Sequence, residues 1–404
     1  MANRALLRGL VSSTKNITIA LIFSSQSLWA QAPSTSATVM PGNGTTSASA
    51  AVKPQEKDKK LSGSVKVTTL GRGIQDKNLK SKVGWTFVEA GVDTEYTDWL
   101  AFNIGVVGLF GEGAGQNYLS DEGGGKSALL LDYAGINIKP IQQLNLKAGV
   151  IGYQINPLYT TMSPGTSLGA EEKFELATPS ETFKFTLQGN QAVPSVGVSK
   201  GLTQEDKNPF FLAGSVIGEI NVKPIATTLK VAGTQFRFGN LPKGEAKNSL
   251  TSGNSVNSVA GVGDEMQYVI GFAGTETAAT LETDWTSKVK TTAKAVMIQN
   301  DRISEANKGR MGRFDLRMVF GNIALKPSVT VFEVEADTTP AGYTILSNRY
   351  NNRKGQVAGL SLELVKQKVI FFGNYTKADE IVDSPFLSDR EIYNIGVEVN
   401  YDLF

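Results

Sequence analysis

From residue 62 to the end of the chain, apolar and non-apolar residues alternate with a period of two, in runs of about 10–14 residues. In 99–110 (WLAFNIGVVGLF) Leu100, Phe102, Ile104, Val106 and Phe110 share one face, and Ala101, Asn103 and Gly105 share the other. In 265–273 Met266, Tyr268, Ile270 and Phe272 alternate with Gln267, Val269, Gly271 and Ala273. In 312–320 Phe314, Leu316, Met318 and Phe320 alternate with Arg313, Asp315, Arg317 and Val319. In 393–403 Tyr393, Ile395, Val397, Val399, Tyr401 and Leu403 alternate with Asn394, Gly396, Glu398, Asn400 and Asp402. Ordinary globular strands run ~5–6 residues, whereas a strand tilted ~45° needs ~9–11 to cross the hydrocarbon of a bilayer. The second face carries charge, amide and glycine, which are costly against lipid and suit a wet interior. The pattern therefore predicts an all-β fold, a transmembrane antiparallel β-barrel with apolar side chains outward and polar side chains inward. A soluble sandwich or solenoid also alternates, but the run lengths and the N-terminus favour the membrane.

That N-terminus reads as a secretory leader. Arg4, Arg8 and Lys15 form a basic start, 17–23 (ITIALIF) a short apolar stretch, and Ala30-Gln31-Ala32 a small-any-small cleavage site. We expect 1–32 to be a signal peptide, 33–61 a disordered periplasmic linker rich in Ser, Thr, Ala, Pro and Lys, and 62–404 the barrel. Losing three bases and no acid from a net charge of +2 leaves a nearly neutral chain, which does not suit nucleic acid. The chain has no Cys and no His. Disulfides, thiolate nucleophiles, the commonest general base and the commonest metal ligand are therefore absent, and neither an enzyme nor a cofactor or metal site is expected.

Connections between the alternating runs are long and polar or short, in turn. Long ones are read at 72–81, 113–125, 156–180, 201–209, 239–264, 301–311, 338–354 and 379–389. Strict alternation leaves three strands for 265–300 if both Gly274–Thr277 and Thr286–Lys288 are turns. Bacterial single-chain barrels have even strand numbers, so one break is a turn and the total is about sixteen. Three short stretches, INIKP (136–140), INVKP (220–224) and IALKP (323–327), are then expected at short periplasmic turns, where Pro140, Pro224 and Pro327 suit a turn because Pro donates no ladder hydrogen bond.

Tyr393 and Tyr401 lie on one apolar face about 20 Å apart along the membrane normal, at the spacing of two aromatic girdles, and the chain ends in Phe404. In these features, the leader and the whole 62–404 pattern, the chain resembles Gram-negative outer-membrane β-barrels. The resemblance implies that the terminal Phe404 is an assembly signal read by the barrel-assembly machinery, although it is out of phase with Tyr401 and Leu403. It also implies contact with membrane lipids and lipopolysaccharide, and a homotrimer.

A barrel of sixteen strands encloses an aqueous channel, so the expected function is that of a porin passing small hydrophilic solutes and ions. The alternative is a structural or adhesive outer-membrane barrel with a plugged lumen. Candidate pore-lining charges come from the polar phase: Arg313, Asp315 and Arg317 along one strand, and Glu282 and Asp284 facing Lys290 and Lys294 across a tight turn at 286–288. Lys147, Lys184, Arg237, Glu219, Glu363 and Glu398 fit the same phase. The long connection 156–180 adds Glu171, Glu172 and Glu175, which would face a basic wall if it folds into the pore.

Overall fold

The structure, a computed structural model, describes residues 60–403 apart from 77–79, 115–125, 153–165, 195–207, 259–265 and 344–350. The leader, most of the linker and Phe404 lie outside the described residues.

Sixteen antiparallel strands close into one barrel. In chain order they are β1 (Lys60–Asp76), β2 (Lys80–Thr97), β3 (Leu100–Ala114), β4 (Lys126–Ile141), β5 (Leu144–Gly152), β6 (Thr166–Ala177), β7 (Phe183–Val193), β8 (Phe210–Val222) and β9 (Thr227–Gly239). A helix α1 (Lys243–Leu250) and a short hairpin of β10 (Val256–Ser258) and β11 (Met266–Tyr268) follow, outside the barrel ladder. The barrel resumes with β12 (Ala273–Thr286), β13 (Val289–Asn300), β14 (Lys308–Phe320), β15 (Ile323–Val334), β16 (Arg353–Leu364), β17 (Val369–Glu380) and β18 (Arg390–Asp402), which pairs with β1. The expected strand number is the observed one. Closure matters because bilayer hydrocarbon offers no hydrogen bond to an open strand edge.

Both described termini and seven short turns gather at one end, and the long connections at the other. The turn at 286–288 is a hairpin as expected, whereas Gly274–Thr277 runs on inside β12. Four expectations need correction. The long connection read at 72–81 shrinks to 77–79, because β1 runs to Asp76 and β2 starts at Lys80. The alternating 265–273 is not a barrel strand: only Met266–Tyr268 is extended, as half of the loop hairpin. Its apolar phase serves a loop core instead, with Tyr268 packed edge-on against Phe272. The connection 156–180 is shorter than read, because 166–177 forms β6. Finally, Pro140 ends β4 and Pro224 sits in a 3-10 turn between β8 and β9, but Pro327 lies inside β15. The actual β14–β15 turn is Gly321-Asn322, with Gly321 in the left-handed region at φ 60. The β14–β15 register jumps from Asp315↔Ser328 to Met318↔Leu325, skipping Pro327, which has no amide to donate. Its pairing with Leu360 on β16 is kept.

Cross-strand register assigns every strand residue to one of two faces. Val65↔Tyr401, Val88↔Val67, Ile104↔Val92, Ile136↔Phe102 and Leu146↔Ile138 carry the outward phase from strand to strand. The alternate positions face the lumen. One fitted contact there is Tyr133, whose ring lies over Gly105 and Gly91; an added Cβ on Gly105 would stand 2.3 Å from the Tyr133 ring.

Candidate pore lining

The inward face is laced with ion pairs that join neighbouring strands. Lys66 on β1 lies 3.4 Å from Glu89 on β2 and 3.5 Å from Glu398 on β18. Lys147 on β5 lies 3.0 Å from Glu171 on β6, which also accepts a hydrogen bond from Gln188 on β7 at 3.3 Å. Glu175 on β6 is held by both Lys173 and Lys184. Lys230 on β9 stands 3.6 Å from Glu219 on β8. Lys290 on β13 binds Glu282 on β12 at 2.7 Å, across the hairpin read from the sequence. On β14, Arg313 grips Asp315 through Nε and Nη2 at 2.8 and 2.7 Å. Glu363 on β16 binds Lys326 on β15 at 2.6 Å, with Arg317 at 3.9 Å.

The strand register explains why these groups meet. Lys230, Thr280, Lys294 and Arg313 form one inward row, and Thr228, Glu282, Thr292 and Asp315 the next. Below it come Asp284, Lys290 and Arg317. A basic row thus abuts an acidic one, within reach of long side chains two residues apart on the same face. Of the candidates read from the sequence, Arg313, Asp315, Arg317, Glu282, Asp284, Lys290, Lys294, Glu171 and Glu175 all fall on the inward phase. Glu172 does not. It shares a row with Leu146 and Gly189 on the outer face, so its assignment to the pore is corrected. Arg237 is also outward, paired in register with Leu212 and Ala273, its guanidinium 5.7 Å from the Phe210 ring centre. Missing from the sequence reading were Lys66, Glu89 and Asp93, in 60–97, where glycines and threonines dilute the alternation. Glu89 and Asp93 stand on β2, about half-way round the barrel from β13 and β14.

Toward the loop end the inner wall turns apolar. Inward Phe211, Ala213, Phe236, Phe238 and Ile298 form one buried cluster with Phe272 and Tyr343, joined by Leu241 and Tyr268. Tyr343 belongs to the connection after β15 and stacks 5.0 Å from Phe238. The connections after β9 and β15 therefore fold against the inside of β8, β9 and β13. Asparagine side chains stitch them together. Asn254 donates to the carbonyls of Ala336 and Thr339 and accepts from the amide of Ala341; Asn351 donates to the same two carbonyls. Asn300 at the top of β13 donates to the carbonyls of Gly271 and Asp337. In this loop core the hydroxyl of Tyr268 lies 2.6 Å from that of Ser249, and burial, with Glu245 nearby, pushes it well above the ordinary phenol range. The arrangement narrows one side of the lumen with a rigid, hydrogen-bonded inlay and leaves a charged, solvated wall below it.

No family model matches the chain, and no curated protein sequence does. Solved structures match in fold. The high-pH structure of Pseudomonas putida OprB superposes with a TM-score of 0.52 at 11% identity, covering 85% of this chain and 94% of that one. The loop L8 deletion mutant of OmpT, an outer membrane protein of Vibrio cholerae, gives 0.49 at 11% identity over 85% and 100% of the two chains. A Salmonella typhi OmpF complex with daunomycin gives 0.47 at 11% identity over 85% and 97%. The shared feature is the closed outer-membrane type of barrel.

Proposed function

We propose that this barrel is an outer-membrane porin, a water-filled channel for passive diffusion of small hydrophilic solutes and ions. The observation that carries the reading is the inner wall, where ion pairs recur on β18, β1 and β2, on β5 to β9 and on β12 to β16. A dry plug would leave those charges desolvated, at several kcal/mol for each ion. Water in the lumen solvates them, and sixteen strands leave room for it. Transport then needs no covalent step: the constriction sets the size limit and the wall charges set the ion preference. Lys290, Lys294, Arg313 and Arg317 on β13 and β14 are interleaved with Glu282, Asp284 and Asp315, so solutes pass alternating basic and acidic rows below the loop inlay.

The same reading puts the short turns with Pro140 and Pro224 in the periplasm, the loop end against lipopolysaccharide, and folding in the hands of the barrel-assembly machinery. It also makes the working form a homo-oligomer. Purified protein in a planar bilayer is the test. Discrete open-channel steps are expected. Absence of conductance at every voltage would refute the channel and leave a barrel plugged by its loop inlay, serving as a surface or anchoring protein.

A further inference from the structure

Two bases stand directly opposite each other across the β13–β14 ladder. Lys294 pairs in register with Arg313, and both lie on the inward phase. Like charges placed this way are destabilising, so sheet stability alone would not select them. The row they share runs from Lys184 on β7 through Glu219, Lys230, Thr280, Lys294 and Arg313 to Thr330 on β15. It carries four bases, Lys184, Lys230, Lys294 and Arg313, and one acid, Glu219. Glu219 stands on the far side of Lys230 at 3.6 Å, Glu175 holds Lys184, and Asp315 in the next row holds Arg313. In register, Lys294 has a hydroxyl on one side and a guanidinium on the other. That hydroxyl belongs to Thr280, which is 3% exposed and whose Oγ1 has no hydrogen-bond partner among the described residues. A buried hydroxyl in this state is uncommon and marks a place where water or an ion belongs. The next row toward the loops is dry, since Ile217, Ala232, Ala278, Val296 and Met311 form a buried apolar cluster.

We propose that Lys230, Thr280, Lys294 and Arg313 form a binding site for a multiply charged oxyanion, a phosphate type of group carried by a permeating solute. The proposal rests on the open-lumen reading above and adds a solute class to it. Strands β9, β12, β13 and β14 are consecutive in the barrel. At ~4.8 Å per strand the four residues span about 14 Å, so long side chains at the two ends converge on Thr280 and Lys294. Two ammonium groups and a guanidinium bring more N–H donors than the two oxygens of a carboxylate can take, and the Thr280 hydroxyl adds another. A phosphate group presents a third acceptor oxygen and a second charge. Asp315 grips Arg313 through Nε and Nη2, which fixes the plane of the guanidinium. An anion seated between Lys294 and Arg313 cancels their repulsion. The dry row on the loop side leaves water on the lumen side only, so the attraction is screened less than on a fully solvated wall.

Inorganic phosphate is the probe. The full-length protein in detergent micelles is titrated with it, and the phosphorus NMR linewidth reports binding whether or not the pore conducts. Saturable broadening is expected. Lys294→Gln should weaken binding about tenfold, and Thr280→Val, which keeps the side chain's shape and removes the hydroxyl, roughly fivefold. Arg237→Gln takes one base from the outer face of β9 and should change nothing. Broadening that never saturates overturns the site, as does equal weakening by Lys294→Gln and Arg237→Gln. Thr280→Val that binds like the parent also overturns it, and this variant decides the matter if Lys294→Gln fails to fold. Displacement of phosphate by an equal concentration of acetate would overturn the preference for a multiply charged group. Saturable binding in a protein that passes no current would refute the channel and keep the site. Current without saturable binding would refute the site and keep the channel.

Discussion

The outer wall of this barrel has two sectors that meet the same membrane with different side chains. From β14 round through β18 to β5 the outward positions mix bulky apolar residues, among them Phe314, Val331, Leu360, Phe371, Ile395, Val67, Ile104 and Leu129, with Gly312, Gly373, Gly71 and Gly108. From β6 to β13 they mix Leu187, Val216, Val231 and Met297 with small residues in the same way, but β6 and β7 add an outward carboxylate and amide, Glu172 and Gln191, bonded to each other at 3.3 Å. Strand geometry is the same in both, so the difference is one of side-chain chemistry: lipid chains wrap apolar groups and cannot satisfy a carboxylate, and Glu172 takes its hydrogen bond from Gln191 instead.

The largest effect separating the sectors should come from a cation placed on each. Ile395→Arg is expected to cost about 2–4 kcal/mol, the range for Arg at the bilayer midplane. Gln191→Arg should cost clearly less, because Glu172 is there to pair with it. Unfolding from lipid vesicles in denaturant measures both, and equal costs would erase the distinction between the sectors. Next is a substitution at an open glycine of the same sector. Gly233→Leu adds a side chain where nothing lies within 4 Å, so unfolding should move by less than about 0.5 kcal/mol in the same titration. A larger loss would show that the position is packed rather than open. The smallest effect divides inside from outside on one strand. Glu171→Gln releases Lys147 into the lumen and should shift the reversal potential in a salt gradient toward anions. A unit charge about 8 Å from a passing ion in water is worth about 0.5 kcal/mol, roughly a twofold change in permeability ratio. Glu172→Gln should leave the reversal potential where it was, since that side chain faces away from the pore.

Much of this was legible in the residues. Alternation over long runs, with charge on the second phase, is enough to specify a wet-cored barrel. Even parity allowed only one of the two breaks in 265–300 to be a turn, and the structure places it at 286–288. That hairpin sets Asp284 opposite Lys290 and Glu282 opposite Thr292, which brings the acids beside the bases, while the bond made, Lys290 to Glu282, is the diagonal one. The errors have a common origin. Glu171, Glu172 and Glu175 fall in a stretch that reads as a long polar connection, and a loop has no faces. Once 166–177 is a strand, adjacent glutamates must point to opposite sides, one to water and one to the membrane. Residues 265–273 alternate as cleanly as any barrel strand, but their apolar phase is satisfied by a loop core around Phe238 and Tyr343. Period two reports one buried face, not what buries it. Pro327 shows the same limit, for a proline ends a ladder locally and does not have to sit at a turn.

What the sequence determined by itself was the class of solvent on each side of the wall, because side-chain phase within a strand is a local property of the extended backbone. It also determined the strand number, through the rule that a closed membrane barrel returns its chain to the side where it began. Only the tertiary structure decided which charges meet, where the loops lie in the lumen, and which outward residues form one continuous surface. Those depend on register between strands far apart in the chain, where a shift of one residue exchanges the lumen for the membrane.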